Sequence, residues 1–276
     1  MSDRAEARVG ISGWVYPPWR GVFYPKGVRQ ADELEYASRH VTSIEVNGSF
    51  YSLQRPTNWV RWRDAVPDDF VFAVKGPRFI THIKRLSDVD APLANFLASG
   101  LLALGPKLGP VLWLLPPNLQ FDEGLLDAFL SRLPRTHGDA AALARHRDGR
   151  MAGRTAYALA APADRVLRHA VEVRHPSFET DAWRSLLERH RVASVTADTA
   201  GRYPRLDWVT ADFAYARLHG DTELYTSGYD EEGLDRWAAW VRAHLEAGRD
   251  TFVYFDNDVK VRAPFDAMAL IGRLST

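Results

Sequence analysis

The sequence predicts an α/β fold, a single (β/α)8 TIM-barrel-like domain over residues 1–276. Three observations predict it. Short apolar runs of strand length are spread over the whole chain. Helical patterns separate most of them, and strands alternating with helices argue for a parallel sheet. The runs also tend to end in a charged or amide residue, as in Ser43-Ile44-Glu45-Val46-Asn47, Ala170-Val171-Glu172-Val173-Arg174 and Tyr215-Ala216-Arg217-Leu218-His219. A barrel that gathers its chemistry at one rim has this appearance.

Taken in order, β1 is expected at about 8–12, followed by a helical pattern from Ala31 to Arg39. β2 is expected at about 41–47 and β3 at about 70–75, with Thr57 to Ala65 between them. Ala91 to Leu104 leads to β4 at about 110–115, and Asp122 to Leu133 follows it. Residues 134–168 exceed a normal connection. Their Ala/Arg-rich centre, Asp139 to His146, reads as helix, so the stretch is an extended β4–β5 crossover and not a second domain. β5 is expected at about 169–174, with Thr180 to His190 after it, and β6 at about 192–198. The next connection, Thr199 to Asp212, has no clear helical pattern, which departs from perfect regularity. β7 at about 213–219 precedes Asp230 to Ala247, where Leu234, Trp237, Trp240, Val241 and Leu245 fall at helical spacing. β8 at about 251–256 and a helix from Val261 to Leu274 close the chain.

The 276 residues suit one barrel, and 46% hydrophobic with 25% charged residues permits a large core. The 35 basic and 35 acidic residues cancel. Global charge therefore gives no push toward nucleic acid or anionic membrane, although a local basic patch stays open. Cysteine is absent, which excludes disulfides, thiolate catalysis and thiolate metal ligands. Met1 to Arg8 contains no apolar signal region, and no apolar run reaches membrane-spanning length. The expected location is the cytoplasm. Only five of the basic residues are Lys, at 26, 75, 84, 107 and 260, which draws attention to Lys75 at a strand end.

Strand parity sharpens the reading, because residues two apart face the same way. Glu45 goes with Ser43 and Asn47, Glu172 with Ala170 and Arg174, and Asp198 with Ser194 and Thr196. Arg217 goes with Tyr215 and His219, and Asp256 with Phe252 and Tyr254. The opposite parity is apolar on most of these strands. The polar set is therefore expected to point into the barrel near its C-terminal mouth.

At these residues the chain resembles the YecE-like family, also called domain of unknown function 72. The resemblance is carried by Gly10-Ile11-Ser12-Gly13-Trp14 with Tyr16 and Trp19, Phe23-Tyr24-Pro25, and Glu45-Val46-Asn47-Gly48-Ser49-Phe50-Tyr51. It continues through Phe72-Ala73-Val74-Lys75, Thr81-His82, Glu172 to Phe178, Tyr215 to Gly220 and Tyr254 to Asp258. It covers nearly the whole chain in order and implies a TIM-barrel-like fold. It supplies no activity. Phe178 stands where the pattern leads one to expect Trp, and Asp256 where it leads one to expect Asn. An amide at 256 is accordingly expected to cost little stability.

The rim residues suggest chemistry of three kinds. Glu45, Glu172, Asp198 and Asp256, with Lys75 and His219, form a candidate acid–base set, since carboxylates sharing a pocket push their pKa values apart. The alternative is a structural ion network with Lys75, Arg174 and Arg217. Arg78, His82, Arg174, His175 and Arg217 offer forks and point charges for a small anionic ligand or phosphate, with Trp14, Asn47, Tyr51 and Asn257 as further contacts. Tyr16, Trp19, Phe50, Tyr225 and Tyr229 add rings that stack a sugar or base, or simply pack. Finally, Glu172, Asp198, His219 and Asp256 on successive strands suit a divalent metal, a layout similar to that of sugar isomerases and endonuclease-IV-like barrels. Arg174 and Arg217 on the same strands oppose a cation, so no metal ligand is assigned and no cofactor is expected. No phosphate loop, dinucleotide fingerprint or nucleophile elbow is present. The leading reading is an acid–base enzyme acting on a small anionic or phosphorylated substrate. A metal-dependent isomerase, epimerase or phosphodiesterase and a non-catalytic binder of nucleic acid or a phosphometabolite are the alternatives.

Overall fold

The computed structural model describes residues 5–275. Residues 1–4 of the segment read for a signal, and Thr276 at the end of the expected domain, lie outside the described residues. Eight parallel strands close into a barrel in chain order, with β1 pairing both β2 and β8. The strands are β1 (Ala7–Ser12), β2 (Ser43–Val46), β3 (Val71–Lys75), β4 (Leu108–Leu114), β5 (His169–Glu172), β6 (Ala193–Asp198), β7 (Phe213–Leu218) and β8 (Asp250–Phe255). Each lies within a few residues of its expected position.

The helices are α1 (Glu33–Ser38), α2 (Gly48–Tyr51), α3 (Pro56–Asp64), α4 (Asp90–Ala98), α5 (Glu123–Ser131), α6 (His137–Ala144), α7 (Asp181–His190), α8 (Glu231–Glu246) and α9 (Ala263–Leu274). Their starts follow capping chemistry. Asp122, Thr180 and Asp230 each accept a backbone N–H of the first turn of α5, α7 and α8. The pattern expected to run to Leu104 breaks earlier, because Gly100 takes φ +109° and ends α4. The one-turn α2 was not legible, being too short to show a period. Between β6 and β7 the described residues form no helix, as the missing pattern indicated.

The β4–β5 crossover is tied to the barrel's flank. Thr136 and Asp139 make a reciprocal capping box that starts α6. Beyond it, the Asp148 amide donates to Asn95 Oδ1 at 3.0 Å and the Ala156 amide donates to Ala98 O at 2.9 Å, both on α4. No described helix is long and apolar enough to cross a membrane.

Two apolar layers hold the barrel. Val9, Ile11, Ile44, Val46, Val171, Ala216 and Val253 face the helices together with Trp59, Trp62, Trp183 and Trp237. Ala73, Leu112, Ala170, Tyr215, Phe252 and Tyr254 fill the interior. Parity holds on β2, β5, β7 and β8 but fails on β6. There the interior takes Ala193, Val195 and Ala197. Ser194, Thr196 and Asp198 thus lie on the outer side, where the Thr196 hydroxyl donates to Leu206 O at 3.4 Å. The missing helix explains the reversal. The outer face of β6 meets a polar coil, and the interior beside it is occupied by Tyr215 and Arg217, leaving room for small residues.

Close approach of β1 to β2 demands glycine at position 10. A Cβ there would fall 1.7 Å from the Ser43 carbonyl oxygen, a backbone atom that cannot turn aside. Gly10→Ala is therefore expected to cost at least the roughly 1–3 kcal/mol of an overpacked core. Chemical denaturation checks this, and an unchanged midpoint would show that the two strands can separate without loss.

Candidate functional site

The interior residues of β2, β5, β7 and β8 converge on one cation. Arg217 is fully buried. Its Nη1 donates to Glu172 Oε2 at 2.7 Å, and its Nη2 donates to Asp256 Oδ2 at 2.8 Å and Glu45 Oε1 at 2.9 Å. Its Nε donates to the second Glu45 oxygen at 3.1 Å. The Glu45 contact is the two-pronged fork that favours Arg over Lys. Glu45 also accepts from the Tyr215 hydroxyl at 2.7 Å and the Ser12 hydroxyl at 3.0 Å. Ser12 and Tyr215 enter the network without having been singled out as site residues. Their parity with Gly10 and Arg217 was the available signal.

Around this core the charges balance by contact. Burial alone would raise Glu172, but the guanidiniums of Arg217 and Arg174 outweigh it and hold the carboxyl well below the usual range. Asp256 behaves the same way: burial opposes ionisation, and Arg217 with His219 overrides it. His219 is fully buried, with Nδ1 3.1 Å from Asp256 Oδ2 and Nε2 3.6 Å from Glu172 Oε1. Burial and Arg217 push its proton off, while the two carboxylates pull its pKa above the ordinary value. The Nδ1 approach is close enough for an ion pair but off line for a hydrogen bond.

A second group of cations stands over the network. Lys75 at the end of β3 is 7% exposed, with Nζ 4.5 Å from the centre of the Phe50 ring. Among the described residues its ammonium has no hydrogen-bond or ion-pair partner. Burial and then Arg217 depress its pKa, against the pull of Glu45, Asp256 and Glu172. Arg174 donates to Glu172 at 3.1 Å and to the Tyr225 hydroxyl at 3.2 Å, and its guanidinium lies over the Tyr203 ring. His82 packs edge-on against Phe50. Burial, then Arg78, Arg174 and Lys75, lowers its pKa to about 4, so it is neutral at physiological pH. Arg78 itself is exposed, and Tyr51 stands 71% exposed with its ring edge against Phe50.

On the β8–β1–β2 side lies a set of acceptors. The Tyr16 hydroxyl donates to Ser12 O at 2.5 Å and lies against the Asn47 amide and the Asp258 carboxyl. Burial and then Asp256 push the Asp258 pKa up to about 6. Asp258 was not singled out from sequence, although it ends the Tyr254 to Asp258 run. Asn47 Oδ1 is buried without a hydrogen-bond partner.

Several expected members do not join. Asp198 faces outward, where burial raises its pKa and its partner is Tyr229. Asn257 is buried on the helix side, donating to Ser227 O at 2.9 Å and Asp266 Oδ2 at 2.8 Å. Parity explains it, because Asn257 is one residue past the inward Asp256. Trp14 is buried edge-on against Trp62 of α3, at 5.2 Å between ring centres, and serves the outer layer. His175 uses Nδ1 to cap the turn at Pro176–Phe178. The metal layout fails on the same grounds. Asp198 is absent from the cluster and the Arg217 guanidinium sits among Glu172, His219 and Asp256. Among the described residues no group of three or more His, Asp or Glu side chains is arranged to hold a metal ion.

Comparison with known proteins agrees with this architecture. A DUF72 family protein from Thermotoga maritima superposes with a TM-score of 0.76 at 24% identity, covering 98% of this chain and 100% of that one. One from Enterococcus faecalis gives 0.74 at 16% identity, covering 98% and 96%. At those identities the likeness is one of fold. The UPF0759 protein YecE of Escherichia coli K12 is 31% identical over 109 residues, or 40% of this chain. The match spans 37% of that relative's length. The model of the family described as Protein of unknown function DUF72 matches residues 8–276, and the chain belongs to that family.

Proposed function

We infer that the barrel mouth binds a small anionic or phosphorylated molecule and performs acid–base chemistry on it. The observation that carries this reading is Lys75. Its ammonium is almost fully buried over the Phe50 ring, has no hydrogen-bond or ion-pair partner among the described residues, and has a pKa depressed first by burial. A desolvated, unpaired charge costs free energy that a purely structural residue would not retain. Arg78 follows Lys75 by three residues in the loop after β3, Arg174 follows β5, and both act with Lys75 on the charge of His82. A depressed lysine is also suited to accept and return a proton near neutral pH.

The carboxylates have a different task from the one expected. Glu45, Glu172 and Asp256 are engaged by Arg217, so they set the field and hold the arginine, and Glu172 and Asp256 are held below the usual carboxylate range. That leaves Lys75, His219 and Asp258 as the groups suited to move protons. The metal-dependent alternative is dropped, since its ligand set is not assembled. A non-catalytic phosphate binder shares the anion site and differs only in turnover.

Thermal melts in phosphate test the reading. A ligand of the native state at 100 times its Kd adds about 2.7 kcal/mol. For a chain of this size that is expected to raise Tm by roughly 5–10 °C. Lys75→Met is expected to abolish the rise while leaving the phosphate-free Tm equal or higher, because an unpaired buried charge is removed. An equal phosphate effect in the two proteins, or none in the wild type, contradicts the anion site.

A further inference from the structure

We propose that the molecule taken at the mouth is a hydroxylated phosphate monoester, its phosphate on the β3–β5 side and a hydroxyl on the β8–β1–β2 side. This rests on the anion-binding reading and adds the second half of the ligand. The two sides differ in chemistry. On one side Lys75, Arg78 and Arg174 each act on the neutral His82, and they offer a set of donors for a dianion. On the other, Tyr16 lies against Asn47 and Asp258, and Asp258 neighbours Asp256. These groups are rich in acceptor oxygens, and among the described residues Tyr16, Asn47 and Asp258 form no ion pair with a cation.

Two observations point to a hydroxyl there. Asn47 Oδ1 is buried without a hydrogen-bond partner, and a buried acceptor left unpaired is costly. Asp258 is half-buried beside a second carboxylate, a poor place for another anion and a good one for a neutral donor. Two neighbouring ligand hydroxyls satisfy both, one O–H donating to each acceptor. The sides are also close: Val46 pairs with Val74, so Asn47 and Lys75 leave adjacent strands at the same level. The span from phosphate to hydroxyl is thus that of a short carbon chain.

The probes are glycerol 3-phosphate, propyl phosphate and glycerol, titrated calorimetrically into the full chain. Wild type is expected to bind glycerol 3-phosphate at least tenfold more tightly than propyl phosphate, and glycerol not measurably. Asn47→Leu and Asp258→Ala are each expected to shrink that preference below about threefold while propyl phosphate binding persists. Either variant suffices if the other fails to fold. Equal affinity of the two phosphates in the wild type overturns the hydroxyl subsite and leaves the anion site standing. A preference that both variants retain also overturns it. Failure of both phosphates to bind removes the anion site and this inference together.

Discussion

Arg217→Met is expected to be the most damaging single change in the mouth. It strands Glu45, Glu172 and Asp256, three carboxylates that now share one guanidinium. Breaking one buried pair typically costs about 3–5 kcal/mol, and here three acids lose their partner at once. A fall in Tm of at least roughly 6–20 °C follows for a chain of this length. The pH dependence supplies a signature that simple loss of packing does not. In the wild type, Glu172 and Asp256 have folded pKa values below their unfolded ones. Their stabilisation is present above the unfolded carboxylate range, near pH 4, and is lost as pH falls toward the folded values. Without Arg217 the buried carboxyls are expected to shift upward, so the variant binds more protons folded than unfolded. Its deficit should then narrow as pH is lowered from 7 to 5. Melts across that range decide the matter, and a deficit independent of pH would reduce Arg217 to a space-filling role.

The second large effect separates two acids that look alike in sequence. Glu172 is fully buried and holds Arg217, Arg174 and His219 together. Glu172→Gln keeps the shape but leaves excess positive charge, and is expected to cost about 3–5 kcal/mol. The Asp256 side chain is 14% exposed and meets Arg217 and His219 through one oxygen. Asp256→Asn retains an acceptor for Arg217, and Glu45 and Glu172 still neutralise the cation. The expected loss is about 1.5–3 kcal/mol, the order of one charge-assisted hydrogen bond. That exceeds the near-neutral effect expected from sequence, because the geometry places His219 against the same carboxylate. Denaturant midpoints of the two variants test the ranking. Equal losses, or a larger one for Asp256→Asn, would contradict the view of Glu172 as the junction between Arg217 and Arg174.

The barrel was legible because its signals are local. Strand period, helical spacing and capping residues such as Asp122, Thr180 and Asp230 act within a few residues. The core of the site was legible for the same reason, since parity on β2, β5, β7 and β8 turned Glu45, Glu172, Arg217 and Asp256 inward together. Parity misled at Asp198 because burial on β6 is decided by its neighbours: a bulky β7 on one side and a helix-free connection behind. It could not assign Trp14 or His175, which lie past strand ends where period two no longer applies, whereas Asn257 follows the alternation and was misassigned by overlooking it. Nor does any local pattern show that three acids converge on one arginine. Sequence analysis made Lys75 notable by its scarcity and its place at a strand end, and what matters is the absence of a hydrogen-bond or ion-pair partner for its ammonium among the described residues. Asp258 was missed because its raised pKa depends on burial and on Asp256, neither of which a linear motif displays.

The most direct test of the account is a crystal structure of the protein equilibrated with phosphate. The account predicts one phosphate at the mouth, within hydrogen-bond distance of Lys75 Nζ and contacting Arg174 or His82, with the Arg217 contacts to Glu45, Glu172 and Asp256 unchanged. An unoccupied mouth at saturating phosphate, or a phosphate bound to Arg217 in place of its carboxylates, would contradict it.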